Sequence, residues 1–167
     1  AVAKRRTLAK SVSVEGVAVL TAPPSAEIRA AEATAGAAVG FDALMLTAAA
    51  GLAAKLAILV APTETIVVLV GPGNNGGDAL FAAAQLVESG YRVNLCLLDR
   101  ASAHSAGLTA ALAAGANVVD EPHGHDYVVD ALFGIGGRGG LGGQAADWAD
   151  WIERERPFVV AVVVPSG

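Results

Sequence analysis

The apolar positions of the chain fall into two kinds of pattern. Ile66–Val70, Arg92–Leu98, Tyr127–Leu132 and Phe158–Val164 are short, nearly unbroken hydrophobic runs. They are too short for helices and are rich in β-branched residues, so they read as strands buried on both faces. Asn117 to Val119 is a shorter strand candidate. Between these runs the apolar residues recur every three to four positions. Leu80, Phe81, Ala84 and Val87 share a helical face from about Asp78, with Gly90 as the C′ residue. Ala101 to Ala114 forms a second such stretch, ended by Gly115. Ala145, Trp148, Trp151 and Ile152 form the stripe of a third, stopped by Pro157. Ahead of the first strand, Ser25 caps a helix expected through about Val39, and another runs from about Asp42 to Leu59, closed by Pro62 and Thr63. Helices alternating with strands predict an α/β fold: a parallel sheet covered on both faces.

One strand end differs from an ordinary turn. After Ile66–Val70 comes Gly71-Pro72-Gly73-Asn74-Asn75-Gly76-Gly77-Asp78, with four glycines and two asparagines in the first seven positions. Such a stretch suits positive φ and a backbone that something approaches closely. Gly71 to Gly76 satisfies G-x-G-x-x-G, and Asp99 closes the next strand where a ribose-binding acid is expected. Asp78, taken as the start of the helix, would repel a pyrophosphate there, and Asn74 and Asn75 offer more than a phosphate turn needs. No Gly-Lys-Ser/Thr follows, which excludes a Walker A loop. Two other strand ends are unusual, Phe133 to Gly143 and Pro165 to Gly167. All three should lie on one edge of the sheet, where ligands bind in this architecture. The expected class is a three-layer αβα sandwich, a Rossmann-like, doubly wound and mostly parallel sheet.

Composition narrows the function. The 167 residues suit one domain, 54% hydrophobic and 16% charged, with 20 glycines. Of the 11 basic residues four (Lys4, Arg5, Arg6, Lys10) lie in the first ten positions, leaving seven against 16 acidic ones. An acidic body argues against a nucleic-acid partner. The lone Cys96 excludes an internal disulfide and fits a reducing, cytoplasmic setting. It lies in a strand and is expected to be an inert thiol. Ala43 to Ala61 is Ala-rich and interrupted by Lys55, so it is expected to be a buried helix rather than a membrane span. Residues 1–24 read as a basic arm and linker, followed by one domain over 25–167.

Gly73-Asn74-Asn75-Gly76-Gly77-Asp78 resembles the signature of the YjeF N-terminal domain family, the NAD(P)HX epimerases. Two further stretches fit in order: Asp130-Ala131-Leu132-Phe133-Gly134-Ile135-Gly136, and the terminal Val160-Ala161-Val162-Val163-Val164-Pro165-Ser166-Gly167. The segments around Glu27 to Glu32 and Leu44-Met45 are also similar to the family's N-terminal part, so the likeness runs from about Ser25 to the end. It implies an isomerase of metabolite repair that interconverts the R and S epimers of hydrated NADH or NADPH, so that a separate NAD(P)HX dehydratase can act. Asn74, Asn75, Gly76, Gly77 and Asp78, with Gly134, Ile135, Gly136, Gly137, Arg138, Gly139 and Gly140, would hold the nucleotide. The amides of the second loop could cradle its diphosphate, with Arg138 adding a charge-assisted contact; otherwise that loop is a hinge.

Asp130 stands inside an apolar strand, where a carboxylate is costly unless paired or metal-bound. Oxygen donors without His or Cys suit a hard cation. The resemblance implies a potassium site of Asn75, Asp130 and Ser166; an Asp held by loop amides is the simpler reading. His123, His125 and Asp126 are expected to form a solvated loop, and His104 to lie at the surface. The chain departs from the family pattern at Val163, where the catalytic Asp is usual, and Asp78 is the substitute acid to consider. It also stops at Pro-Ser-Gly, where the resemblance implies further strands and helices, so the domain is expected to be incomplete at its C-terminus. A silent nucleotide-binding module and an NAD-dependent dehydrogenase using Asp99 are the rival readings. A homodimer is compatible with the sequence, and a membrane partner is not expected.

Overall fold

The computed structural model describes residues 40–134 and 141–163, together with the helical residues 30, 31 and 34. The basic arm, the loop 135–140, Ser166 and most of the expected 25–39 helix lie outside the described residues. In chain order the elements are α1 (Phe41–Leu59), β1 (Thr65–Val70), α2 (Gly73–Glu88), β2 (Arg92–Leu97), α3 (Ser105–Ala114), β3 (Asn117–Val118), β4 (Tyr127–Ala131), α4 (Gln144–Glu155) and β5 (Phe158–Ala161). The strands form one sheet in the order β3-β2-β1-β4-β5, and every pair is parallel. The chain lays β1, β2 and β3 outward in one direction, then returns to add β4 and β5 on the other side of β1. The switch point therefore lies between β1 and β4.

The alternation along β1 shows why three layers form. Ile66, Val68 and Val70 pack with Ala49, Ala53 and Leu56 of α1, Leu80, Ala83 and Leu86 of α2, and Leu108 and Ala111 of α3. Val67 and Leu69 face the other way and pack with Val128, Leu132, Trp148 and Trp151. Both faces of the central strand are buried, as its uninterrupted apolar sequence requires.

Three sequence expectations change. First, α1 is not a buried helix. By length and composition it could cross a membrane, yet only 22% of Asp42–Leu59 is buried. Met45, Ala49, Ala53 and Leu56 face the core, while Ile58 is 79% exposed. Apolar residues all round the helix hid which stripe packs. Second, α3 begins at Ser105 rather than Ala101, because the His104 Nδ1 accepts from the Gly107 amide, 3.1 Å away, and caps it. His104 is half-buried, against Phe81, rather than a surface residue. Third, the final strand ends at Ala161, three residues early, and its side chains are at most half-buried.

The His123–Asp126 segment is a solvated loop, with His123, Gly124 and Asp126 exposed, and it also acts as a fastener. Asp126 Oδ2 accepts from the Thr65 amide at 2.8 Å and its hydroxyl at 2.9 Å, tying the start of β4 to that of β1. Both His125 ring nitrogens are engaged, one by Asn94 and one by the Pro122 carbonyl. Among the described residues no cluster of three or more His, Cys, Asp or Glu could hold a metal ion.

Candidate functional site

The glycine stretch after β1 folds differently from its sequence reading. Helix α2 begins at Gly73, not near Asp78, so Asn74 to Asp78 are helical and not loop. Asp78 lies in the second turn, and the first turn carries no acidic residue. The objection that a carboxylate would repel a phosphate at the helix start therefore falls. Pro72 occupies the cap position and provides no side-chain hydrogen bond. Among the described residues no cap side chain meets the first N–H groups of α2, which lie at the positive end of its dipole.

Close approach explains the glycines. A Cβ at Gly71 would stand 1.7 Å from the Leu132 carbonyl oxygen, and one at Gly76 would stand 2.1 Å from the Gly71 oxygen. The Gly71 amide donates to the Ala131 carbonyl at 3.1 Å, which locks the turn onto the end of β4. Gly77 packs against His104 and Met45, where a Cβ would lie 3.1 Å from each. Glycines in a helix interior cost about 0.5–1 kcal/mol each, a cost accepted here because no larger residue fits. Sequence reading missed His104 and Met45 as supports of this turn. The one local signal was a polar residue at the α3 cap position.

The switch point brings Asn75 and Asp130 into one neighbourhood. Asn75 is 9% exposed, beneath Gly134, whose added Cβ would lie 3.4 Å from the Asn75 Cβ. Neither its amide nitrogen nor its amide oxygen has a hydrogen-bond partner among the described residues. An unsatisfied buried polar group costs about 1–3 kcal/mol, so this side chain is placed for something other than stability. Asp130 is 6% exposed, and its Oδ1 accepts from the Leu132 amide at 3.2 Å. The Val162 amide donates to the Asp130 carbonyl at 3.0 Å, so Val163 follows on the same edge and is exposed.

Of the sequence-predicted residues, Asn74, Asn75, Gly76, Gly77, Asp78, Asp130, Gly134 and Val163 thus lie at or beside the carboxyl edge of β1, β4 and β5. Ile135 to Gly140 and Ser166 lie outside the described residues. Asp99 is exposed, two residues past the end of β2 on that edge. A cavity of about 450 Å³ bordered by His123, Trp151 and Pro157 lies at the opposite, amino-terminal edge and contains none of these residues.

Comparison with known proteins places the chain in a family and supports its fold. The chain is 39% identical over 136 residues to the bifunctional NAD(P)H-hydrate repair enzyme Nnr of Corynebacterium glutamicum, covering 75% of this chain and 24% of that protein. It is 43% identical over 136 residues to the NAD(P)H-hydrate epimerase of Microbacterium testaceum, covering 74% of this chain and 52% of that protein. The chain thus spans about a quarter and about half of the length of these two relatives. The crystal structure of the yeast protein ynu0 shares the fold, with a TM-score of 0.74 at 18% identity over 88% of this chain and 72% of that one. The family profile described as "YjeF-related protein N-terminus" matches residues 41–167. That match begins with α1 and takes in every strand, and by it the chain belongs to the YjeF-related protein N-terminus family.

Proposed function

We propose that this domain interconverts the R and S epimers of hydrated NADH and NADPH, as an isomerase of nicotinamide nucleotide repair. The observation that carries the reading is Asn75: a buried amide with both polar atoms unpartnered, at the switch point of a parallel sheet. The names of the relatives supply the substrate class. One of them is called bifunctional, which supports a working partnership with a dehydratase.

In this reading the open N-terminus of α2 takes the dinucleotide diphosphate. The family likeness assigns the loop Gly134, Ile135, Gly136, Gly137, Arg138, Gly139, Gly140 to the same diphosphate. The donor set fits a potassium ion: Asn75 offers an orphaned amide oxygen, Asp130 a buried carboxylate, and Ser166 a hydroxyl, all hard oxygen ligands. Such an ion would contribute fixed positive charge beside the bound nucleotide. Epimerisation requires hydroxide to leave C6 of the hydrated ring and water to return on the other face. A positioned acid/base assists both steps. Position 163, where the family places an Asp, carries a valine, which can neither give nor take a proton. Asp78, in the second turn of α2, is the candidate to replace it.

Val163 favours a second reading, a nucleotide-binding module without turnover. Separation of (R)- and (S)-NADHX on a chiral column, after incubation with the purified protein and potassium, decides between them. Interconversion above the spontaneous rate, abolished by Asp78→Asn, is expected if Asp78 has replaced the missing acid. No turnover in the wild type, but turnover in Val163→Asp, establishes the silent module. No turnover in either refutes the epimerase reading.

A further inference from the structure

The sequence marks one acid that the site described so far does not use. Asp99 lies two residues past the end of β2, and β2 is the direct neighbour of β1, with Leu97 opposite Val70. The Leu98 amide extends the pairing by donating to the Val70 carbonyl at 3.0 Å. Val70 is the last residue before the Gly71-Pro72-Gly73 turn, so Asp99 stands on the carboxyl edge beside the N-terminus of α2. In a βαβ dinucleotide half, that helix end takes the diphosphate and an acid at the end of the second strand takes the adenosine ribose.

The loop holding Asp99 is built rather than loose. The Ala101 amide donates to Asp99 Oδ1 at 3.0 Å. The Ala103 amide and the Ser102 hydroxyl bond the Asp99 carbonyl at 3.1 and 3.3 Å. Hydrogen bonding from Ser102, then from the Ala101 amide, keeps the carboxyl below its ordinary range, so it is an anion at neutral pH. A carboxylate accepts up to about four hydrogen bonds, which leaves capacity on this exposed group for a diol. A phosphate brought to the same place would meet like charge, and the adjacent Arg100 is the only counterweight within the Asp99–Ser102 segment.

We propose that Asp99 is the specificity residue at the adenosine end: it accepts the 2′-hydroxyl of an unphosphorylated ribose and turns away a 2′-phosphate, so that hydrated NADH is preferred over hydrated NADPH. The inference rests on the dinucleotide reading above, but not on turnover.

Calorimetric titration with AMP and with adenosine 2′,5′-bisphosphate tests it without chemistry. The wild type is expected to bind AMP at least about tenfold more tightly, a difference of about 1.4 kcal/mol. Asp99→Ser is expected to bring the two within about threefold, chiefly by tightening the bisphosphate, with an unchanged melting temperature. Equal affinities in the wild type overturn the proposal. So does a bisphosphate preference, which would assign the subsite to Arg100, and so does an Asp99→Ser ratio equal to the wild-type one. Binding of neither nucleotide refutes the dinucleotide reading together with this one. Discrimination without epimerisation leaves the selectivity standing and removes only the catalysis.

Discussion

Gly51 and Gly76 both lie within helices, and the same substitution at each should have opposite effects. Replacing a helical glycine by alanine stabilises by about 0.5–1 kcal/mol, because the chain loses less backbone freedom on folding. At Gly51, in the middle of α1, an added Cβ meets nothing within 4 Å. Gly51→Ala should keep the whole gain. At Gly76 the Cβ would stand 2.1 Å from the Gly71 carbonyl oxygen and 3.3 Å from Val70 Cγ1. A contact with a backbone oxygen needs about 3 Å, so α2 and the turn must part by about 1 Å. The turn has nowhere to go: the Cβ position of Gly71 already lies 1.7 Å from the Leu132 oxygen. Three segments are stacked at closest approach, and overpacking of this kind costs about 1–3 kcal/mol or more.

After the propensity gain is subtracted, Gly76→Ala should destabilise by about 2 kcal/mol. In a domain of this size 1 kcal/mol moves the melting midpoint by about 2–4 °C. Gly51→Ala should therefore melt roughly 1–4 °C higher, and Gly76→Ala about 4–8 °C lower. Urea unfolding followed by the fluorescence of the buried Trp148 and Trp151 reads the same difference as a change of midpoint at constant m-value. If both variants move in one direction, or if Gly76→Ala is neutral, the close approach of α2, the glycine turn and β4 is wrong, and with it the placement of Asn75.

Two further predictions concern ionisable groups outside the site. Burial, followed by the charges of Glu121 and Asp120, pushes the Cys96 thiol up to about 12. It should resist a thiol reagent such as DTNB in the native protein at pH 8 and react fully in urea; rapid native labelling would refute its burial in β2. The Thr65 amide, and then its hydroxyl, hold Asp126 below the ordinary carboxylate range. A depressed folded value contributes stability at neutral pH that is lost as pH falls through the acid range below about 4. Asp126→Asn should be less stable than wild type at pH 7 and show a shallower acid decline in urea midpoints; an unchanged decline refutes the Asp126–Thr65 fastener.

The sequence was most legible where burial leaves no choice. β1 is apolar from Ile66 to Val70 because α1, α2 and α3 cover one face and α4 the other, so its run named it as a central strand. The Trp148–Trp151 stripe marked α4 for the same reason. Legibility failed where tertiary contact outweighed local propensity. Gly76 and Gly77 read as loop because glycine disfavours helices, yet their Cβ positions are occupied by Gly71, His104 and Met45. His104 read as surface because its cap on Gly107 and its edge contact with Phe81 join residues whose proximity only the fold creates. In α1, a helix apolar all round carries no mark of which stripe faces inward, and the packed row emerges only against α2. The site was found through its oddities: paired asparagines after a strand and an acid within one. Both are residues that local structure does not need.

Position 163 separates what the site binds from what it can do. The backbone that brings residue 163 to the edge is fixed by the Asp130 carbonyl, which accepts the Val162 amide, and by the pairing of Asp130 with Ala161. Neither depends on the side chain at 163, which is exposed. A valine there therefore costs no fold and disturbs neither Asn75 nor the turn at Gly71. On the proposed reading, a valine at 163 leaves out a proton carrier and nothing else. Binding should survive it in full, and any loss should appear in kcat rather than in KM, the pattern expected when an interaction made only in the transition state is missing. A variant at 163 that altered nucleotide affinity as much as turnover would show that this position shapes the pocket, and that the edge is not the rigid frame that the β4–β5 ladder implies.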